Sequence, residues 1–208
     1  MDNLHPLESK VLLALAPQPG SPCTLDQLAE SAGLEPSQLS MAVEWLLAKS
    51  LIAVHAETVA YIASLTPVGE VFFEKYAPIE RVLSAAREAG QTGKRLTIQD
   101  IQAKEALEPS DVSKAVGTLK KEGAILIVQG GCIESTGRNS PTAEAMRALL
   151  QELRSGQREL QTVAEPLRAV LQQHAVKRGN AREPFRVDER VTRSFLLTPT
   201  GQEAADQL

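Results

Sequence analysis

A stretch of 21 residues occurs twice in this chain, and this repetition limits the possible folds more than any other feature. Sliding residues 34–54 onto residues 107–127, a step of 73 positions without a gap, gives nine identities. The identical pairs are Leu34/Leu107, Glu35/Glu108, Pro36/Pro109, Ser37/Ser110, Ser40/Ser113, Ala42/Ala115, Val43/Val116, Leu46/Leu119 and Ile52/Ile125. Self-similarity at a fixed step indicates that one small structural unit is repeated along the chain.

A second echo divides the chain further. Leu65-Thr66-Pro67-Val68-Gly69 returns as Leu197-Thr198-Pro199-Thr200-Gly201, and the weaker Ser135-Thr136-Gly137 lies between them. The 208 residues are enough for two or three small domains of roughly 60–100 residues each. Both echoes fit three modules, which we predict at residues 1–76, 77–139 and 140–208.

The first module has the residue pattern of three helices followed by strands. Thr24 can cap the second helix and Gly33 can end it, while Pro36 suits the first turn of the third. After the third helix the apolar residues follow a strand pattern instead of a helical one. The predicted elements are helices at 7–15, 25–32 and from 36 onward, and a hairpin of strands 51–54 and 59–65 with a turn near Glu57.

The second module repeats this order, and the third departs from it. The second has predicted helices at 79–89, 97–104 and 110–122, then a hairpin whose tip is Gly130-Gly131. The third has two long predicted helices, 142–154 and 159–176, without a short middle one. Its predicted hairpin joins 185–187 to 191–197 through Asp188-Glu189-Arg190.

Three helices followed by a two-stranded hairpin is the order of a winged helix. We therefore predict a mainly α fold with small β-hairpins (α+β), made of tandem winged-helix modules of which the third is atypical.

The sequence contains no arrangement of residues that supports catalysis. None of the three histidines stands beside a nucleophile or carboxylate in a motif, and Gly130-Gly131 lacks the helix and lysine of a phosphate-binding loop. Cys23 and Cys132 are too few for a zinc site and are predicted to be buried free thiols. We expect no catalytic residue, cofactor or metal in this chain.

No apolar run approaches the ~20 residues that a membrane span needs. The start, Met1-Asp2-Asn3-Leu4, also lacks the basic and apolar regions of a signal peptide. We therefore expect a cytoplasmic protein that does not act at a membrane.

Charge is distributed unevenly along the chain. Residues 1–76 carry three Lys/Arg against nine Asp/Glu, a net charge of −6, whereas the two later modules are each near +1. Such an acidic segment is a poor match for a phosphate backbone. The outward positions of the third helix in this module, Gln38, Met41, Glu44 and Ala48, include no arginine. The first module is therefore predicted to dock protein or to act as a spacer.

The predicted nucleic-acid-binding residues lie in the later modules. Residues 177–193 carry six basic and three acidic side chains, a net charge of +3. A loop and hairpin rich in arginine can bind a nucleic-acid backbone without reading its sequence; the alternatives are a helix end stabilised by cations and ordinary solvated lysines. The predicted set is Lys114, Lys120 and Lys121 of the second module with Lys177, Arg178, Arg182, Arg186, Arg190 and Arg193 of the third.

Segments spread over nearly the whole chain follow the pattern of one family. They are His5-Pro6-Leu7-Glu8, Lys10-Val11-Leu12-Leu13-Ala14-Leu15, Val43-Glu44-Trp45-Leu46 with Lys49, Leu65-Thr66-Pro67-Val68-Gly69 with Glu70, Val187-Asp188-Glu189-Arg190, and Phe195-Leu196-Leu197-Thr198-Pro199-Thr200-Gly201. In these segments the chain resembles the α subunit of phenylalanyl-tRNA synthetase of the archaeal and eukaryotic cytosolic type.

The resemblance implies a run of winged-helix-like domains that precedes a class II catalytic core in an α2β2 enzyme. That enzyme attaches phenylalanine to its tRNA with ATP and magnesium. The resemblance places the core beyond Leu208, so it assigns no ATP, phenylalanine or metal ligand to these residues. It implies that they help to hold tRNA, with the catalytic domain and the β subunit as protein partners.

Two other classes stay open at this point. A winged-helix DNA-binding transcription regulator needs a basic recognition helix and a dimerisation face, and the acidic first module argues against it. A structural adaptor resembling the tandem winged-helix subunit of bacterial condensin has two modules and a disordered tail, whereas residues 185–201 have the pattern of an ordered hairpin. We therefore expect a tRNA-binding role in protein biosynthesis.

Overall fold

The computed structural model describes residues 4–17, 20–177 and 182–208. It confirms a mixed α and β fold with antiparallel sheets. The helices are α1 (Pro6–Leu15), α2 (Leu25–Ala32), α3 (Pro36–Ala48), α4 (Pro67–Lys75), α5 (Pro78–Thr92), α6 (Ile98–Glu105), α7 (Pro109–Lys121), α8 (Pro141–Arg154), α9 (Glu165–Gln173) and α10 (Pro199–Asp206). The strands are β1 (Cys23–Thr24), β2 (Ile52–Leu65), β3 (Leu96–Thr97), β4 (Ile125–Val128), β5 (Cys132–Ser135), β6 (Arg158–Glu159) and β7 (Phe185–Leu197).

The chain divides into two compact units. Unit 1 combines Met1–Ala60 with Glu189–Leu208, and unit 2 is Tyr61–Asp188. Each unit has its own apolar core. This division by contacts differs from the three predicted modules because unit 1 contains both ends of the chain. The module boundaries at 76/77 and 139/140 stay a prediction.

The 73-residue repeat has the same secondary structure in both copies. Helices α2 and α6 are each eight residues long, α3 and α7 are each 13 residues long, and both pairs begin 73 positions apart. Thr24 and Thr97 cap α2 and α6 in the same way, since each side-chain oxygen accepts the N–H of the residue three positions later. Leu46 and Leu119 are fully buried in equivalent positions. The predicted helices of this region are therefore confirmed.

The strands that complete the two copies come from different parts of the chain. In unit 2, β3 pairs with β5, which places Leu96 opposite Ile133, and β5 belongs to the neighbouring β4–β5 hairpin. In unit 1, β1 pairs with β7, which places Cys23 opposite Phe195. Strand β7 thus occupies the position in unit 1 that β5 occupies in unit 2. Phe195 and Ile133 are both buried there.

Two predicted hairpins are wrong because β2 and β7 are each continuous. The turns expected near Glu57 and at Asp188-Glu189-Arg190 do not form, and the two strands are instead neighbours in the sheet order β1-β7-β2-β6. A tight hairpin needs residues that accept positive φ. Gly130 and Gly131 do so at the tip of β4–β5, with φ of +84° and +72°. Residues 54–59 and 188–190 contain no glycine or asparagine, and the backbone stays extended there.

The second echo marks a repeated backbone contact at the end of a strand. In each copy a threonine N–H donates to one carbonyl and its hydroxyl donates to the carbonyl one residue earlier. The contacts join Thr198 to Leu51 (3.1 Å) and Ser50 (2.8 Å), Thr66 to Pro184 (3.0 Å) and Glu183 (2.7 Å), and Thr136 to Ala124 (3.0 Å) and Gly123 (2.6 Å). Thr66 and Thr198 also cap α4 and α10, two helices that the sequence analysis did not predict.

Two glycines of this echo, Gly69 and Gly201, are required by close packing. A Cβ atom on Gly69 would lie 2.2 Å from the carbonyl oxygen of Pro184, and one on Gly201 would lie 1.8 Å from that of Leu51. Any other residue would therefore force the backbones apart.

The prediction of one helix over 159–176 is also wrong. That segment contains β6, a 3-10 turn at Leu160–Thr162, and then α9, which begins at Glu165. Pro166 fits the late start, because a proline inside a helix removes an i→i−4 hydrogen bond and clashes with the preceding turn, whereas proline is tolerated in the first helical turn. The two cysteines are free as expected, but they are half-buried and not buried.

Candidate nucleic-acid interface

The predicted nucleic-acid-binding residues are divided between the two units. Unit 2 holds Lys114, Lys120, Lys121, Lys177, Arg182 and Arg186, whereas unit 1 holds Arg190 and Arg193. Arg178 lies outside the described residues. All eight described side chains belong to exposed residues. Which of them bind nucleic acid stays a prediction.

The units differ sharply in net charge. Unit 1 has four Lys/Arg against ten Asp/Glu, a net charge of −6, and unit 2 has 18 against 16, a net charge of +2. Acidic surfaces repel a phosphate backbone and basic ones attract it. Unit 2 is therefore the better electrostatic match for nucleic acid.

Within unit 1, the charge of Arg193 is already compensated. Its Nε donates to Oε2 of Glu57 at 2.7 Å, and both side chains are nearly half exposed. This hydrogen bond raises the pKa of Arg193, and the charge of Glu44 on α3 acts in the same direction. Arg190 is three residues away on the same strand, so the two side chains leave opposite faces of β7. Arg190 and Arg193 thus do not form one basic face.

Within unit 2, the structure brings Lys114 and Arg182 to one cavity of about 460 Å³. Glu183 lies between two basic groups there, since Lys114 Nζ is 3.7 Å from its Oε1 and His174 Nδ1 is 3.5 Å from its Oε2. Burial lowers the pKa of His174, although Glu183 opposes that shift. His174 is therefore neutral at pH 7, and Glu183 offsets part of the positive charge at this cavity.

A second basic region lies at the end of α7. Lys120 and Lys121 occupy its last turn, where cations interact favourably with the helix dipole. The side chain of Arg138 lies close to the turn that follows α7. A Cβ atom placed on Gly123 would be 3.4 Å from Nη1 of Arg138. Arg87 donates to the carbonyl of Arg138 at 3.1 Å. Sequence reasoning missed both arginines, since nothing in their local sequence connects them with α7.

A larger cavity of about 860 Å³ lies along α5 and α8 in unit 2. Its arginines already have protein partners. Arg147 forms two hydrogen bonds with Glu80, at 2.7 and 2.8 Å, and its guanidinium lies 4.3 Å from the ring centroid of Tyr76. Arg81 is 3.1 Å from Glu105. These pairs link α5 to α6 and α8 and compensate the charges of Arg81 and Arg147.

Over the described ranges, no group of three or more His, Cys, Asp or Glu side chains is arranged to hold a metal ion. In the same part of the chain, no helix is both long and apolar enough to cross a membrane.

No family model matches the chain, but comparison with known proteins identifies a relative. The chain is 30% identical over 185 residues to the phenylalanine–tRNA ligase α subunit of Thermococcus onnurineus (strain NA1). The match covers 88% of this chain and 35% of that subunit, so the chain spans about a third of the length of its relative. The chain is therefore related, over most of its length, to the α subunit of phenylalanine–tRNA ligase.

Proposed function

We propose that this chain is a tRNA-binding part of a phenylalanine–tRNA ligase α subunit and that it supports aminoacylation without catalysing it. The observation that carries the proposal is the charge division: the relative acts on tRNA by name, and most of the predicted basic residues lie in the unit of positive net charge. In this proposal the partners are tRNA, the catalytic domain and the β subunit, and the site of action is the cytoplasm.

The proposal includes tandem winged-helix modules. From α1 to β2 the elements occur in the order helix, short strand, helix, helix and strand. The same order recurs from α5 to β4. The third module is atypical because a 3-10 turn stands in place of its middle helix. Strand β7 completes the sheet of the first module in unit 1, and β2 pairs with β6 of the third module in unit 2.

The proposed contact with tRNA is electrostatic. Lysine and arginine bind phosphates whatever the base sequence is, and each neutralised phosphate contributes roughly 0.7–0.9 to the log–log salt slope. The aromatic content of 3% offers few platforms for stacked bases. Binding is therefore weak and steeply salt-dependent, with most of the contacts made by unit 2.

Two triple variants with equal loss of charge test this placement. One removes Lys120, Lys121 and Arg186 of unit 2, three exposed residues that form no ion pair with described residues. The other removes Lys10, Arg190 and Arg193 of unit 1. Titrations of tRNA between about 50 and 200 mM salt should show a slope lower by roughly 2–3 for the unit 2 variant and little change for the other.

Lys49 is unsuitable for the control set, because its Nζ is 2.9 Å from the buried carboxylate of Glu8. A larger loss of tRNA binding in the unit 1 variant than in the unit 2 variant would contradict the placement. Tighter binding of duplex DNA than of tRNA would favour a transcription regulator, and no salt-dependent binding to either would favour an adaptor.

The absence of catalysis is tested separately. Pyrophosphate exchange with phenylalanine and ATP should give no signal above a contamination control, because the chain offers no phosphate-binding motif. Reproducible exchange would show that the chain does more than support the enzyme.

A further inference from the structure

Helix α3 of unit 1 has an exposed apolar stripe. Met41, Trp45 and Ala48 are spaced four and three residues apart, which places them on one face of the helix. Met41 is 44% exposed and Trp45 is 36% exposed. The ring of His5 packs edge-on against Trp45, with 5.1 Å between the centroids, and holds the indole in place. Exposed apolar side chains in a row are typical of a binding surface.

The equivalent helix face in unit 2 lines a cavity together with other segments of the same chain. The 73-residue step places Lys114 where Met41 stands and Thr118 where Trp45 stands. Lys114 and Thr118 line the 460 Å³ cavity together with Gln173, His174, Arg182 and Glu183. In that copy another segment of the chain therefore lies close to this face, and a Lys114–Glu183 ion pair connects the two.

The charge around the stripe of unit 1 is acidic. Glu44 lies next to Trp45 and is exposed. Two nearby cations are already paired, because Lys49 contacts Glu8 at 2.9 Å and Arg193 contacts Glu57 at 2.7 Å. With a net charge of −6, unit 1 repels phosphates and attracts cations.

We propose that the Met41–Trp45–Ala48 stripe docks a cationic amphipathic segment of a partner protein. An apolar side chain of that segment packs on Met41 and Trp45, and a lysine or arginine of the segment pairs with Glu44. The ion pair thus has the opposite sense to that of unit 2, where the helix supplies the cation. Because His5 already orders the indole, little side-chain entropy is lost on binding. This docking surface is independent of the proposed tRNA contact in unit 2.

The single tryptophan of the chain is Trp45, so its fluorescence reports on this face. The probe is an 18-residue amphipathic helical peptide of leucine and lysine, with a peptide of leucine and glutamate as its charge-reversed control. We expect the lysine peptide to shift the emission of Trp45 to the blue and the glutamate peptide to leave it unchanged. Anisotropy of the labelled lysine peptide then compares the variants.

The double variant Met41→Ser/Trp45→Thr should bind the lysine peptide at least ~10-fold more weakly, because buried aromatic anchors dominate interface energy. Its matched control, Leu126→Ser/Ile127→Thr, removes two exposed apolar residues of β4 in unit 2 and should bind as the wild type does. Glu44→Lys should weaken binding of the lysine peptide without removing the apolar stripe. Unchanged circular dichroism checks that all three variants fold.

Several results would overturn the proposal. They are equal binding of both peptides, wild-type affinity in the Met41→Ser/Trp45→Thr variant, a change of Trp45 fluorescence on adding tRNA at low salt, or self-association that this variant abolishes. The last two would assign the stripe to nucleic acid or to a second copy of the chain.

Discussion

Helices α3 and α7 are two versions of one element in which three buried core positions agree and three exposed positions do not. Ala42, Val43 and Leu46 of α3 are repeated as Ala115, Val116 and Leu119 of α7, and all six are buried. The exposed Met41, Glu44 and Trp45 correspond to Lys114, Gly117 and Thr118. Packing fixes the first set, because a core tolerates few changes of volume. The second set is free to diverge and can give each unit its own partner.

The two units also differ in how their sheets are completed. Unit 2 has a local hairpin, β4–β5, closed by two glycines of positive φ. Unit 1 uses β7, which is separated from α3 by more than a hundred residues along the chain. Pairing of distant segments costs more chain entropy and slows folding. Unit 2 therefore has the more local topology around its repeat, and unit 1 depends on the end of the chain.

The largest expected effect concerns the shared core. Leu46→Ala in unit 1 and Leu119→Ala in unit 2 should each lower the free energy of unfolding by about 2–5 kcal/mol, because both side chains are fully buried. Urea unfolding followed by Trp45 fluorescence reports on unit 1, and far-ultraviolet circular dichroism reports on both units. A negligible loss for either variant would show that the two positions are not equivalent.

The second prediction tests the repeated strand-end contact. Gly69→Ala in unit 2 and Gly201→Ala in unit 1 should each cost about 1–3 kcal/mol or more, since the added methyl group meets a backbone oxygen in both cases. Gly90→Ala is the control: this glycine lies inside α5 with open space around its Cα, and the change should stabilise by up to ~1 kcal/mol. Thermal unfolding compares the three, and equal effects would refute the close approach.

Much of the helical structure could be predicted because its signals are local. Thr24 and Gly33 bound α2, and Pro36 opens α3, as the sequence indicated. The hairpin with Gly130-Gly131 was also predictable, since its turn requires residues that accept positive φ.

The exchange of strands could not be predicted from local patterns. Near Glu57 and at Asp188-Glu189-Arg190 the chain is polar, as in a turn, but a two-stranded ribbon exposed to solvent is polar as well. The pairing of β1 with β7 depends on residues 170 and 172 positions apart, and no periodicity carries that information. The ion pair of the candidate site residue Arg193 could not be predicted for the same reason, because its partner, Glu57, is far away in sequence.

A third prediction compares one position that differs between the copies. Lys49 of unit 1 corresponds to Glu122 of unit 2 by the 73-residue step. Lys49 pairs with Glu8, which is 1% exposed, so Lys49→Ala leaves a buried carboxylate without its cation. The variant should lose about 1–3 kcal/mol, less than for a fully buried pair because Lys49 is 29% exposed. Lys10→Ala, an exposed residue of the same unit, should have almost no effect in the same urea titration.

The smallest expected effect is a pH dependence that the capping box of α6 has and that of α2 lacks. Asp100 accepts the N–H of Thr97 at 2.8 Å, and this backbone hydrogen bond, followed by that from the Thr97 hydroxyl, lowers the pKa of Asp100 below its ordinary value of 3.8. In α2 the same place is taken by Gln27, which accepts the N–H of Thr24 at 2.9 Å and does not titrate.

Because folding lowers the pKa of Asp100, its contribution to stability is present above the ordinary value and is lost as pH falls through the folded value. When the pH is lowered from 5 towards 2, the chemical shift of the Thr97 amide should therefore follow the titration of Asp100. The chemical shift of the Thr24 amide should show no such titration. Asp100→Asn should abolish the curve at Thr97, and Gln27→Asp should create one at Thr24. If the Thr97 amide titrates unchanged in Asp100→Asn, another carboxylate governs it, and the two caps do not differ in the way that their residues indicate.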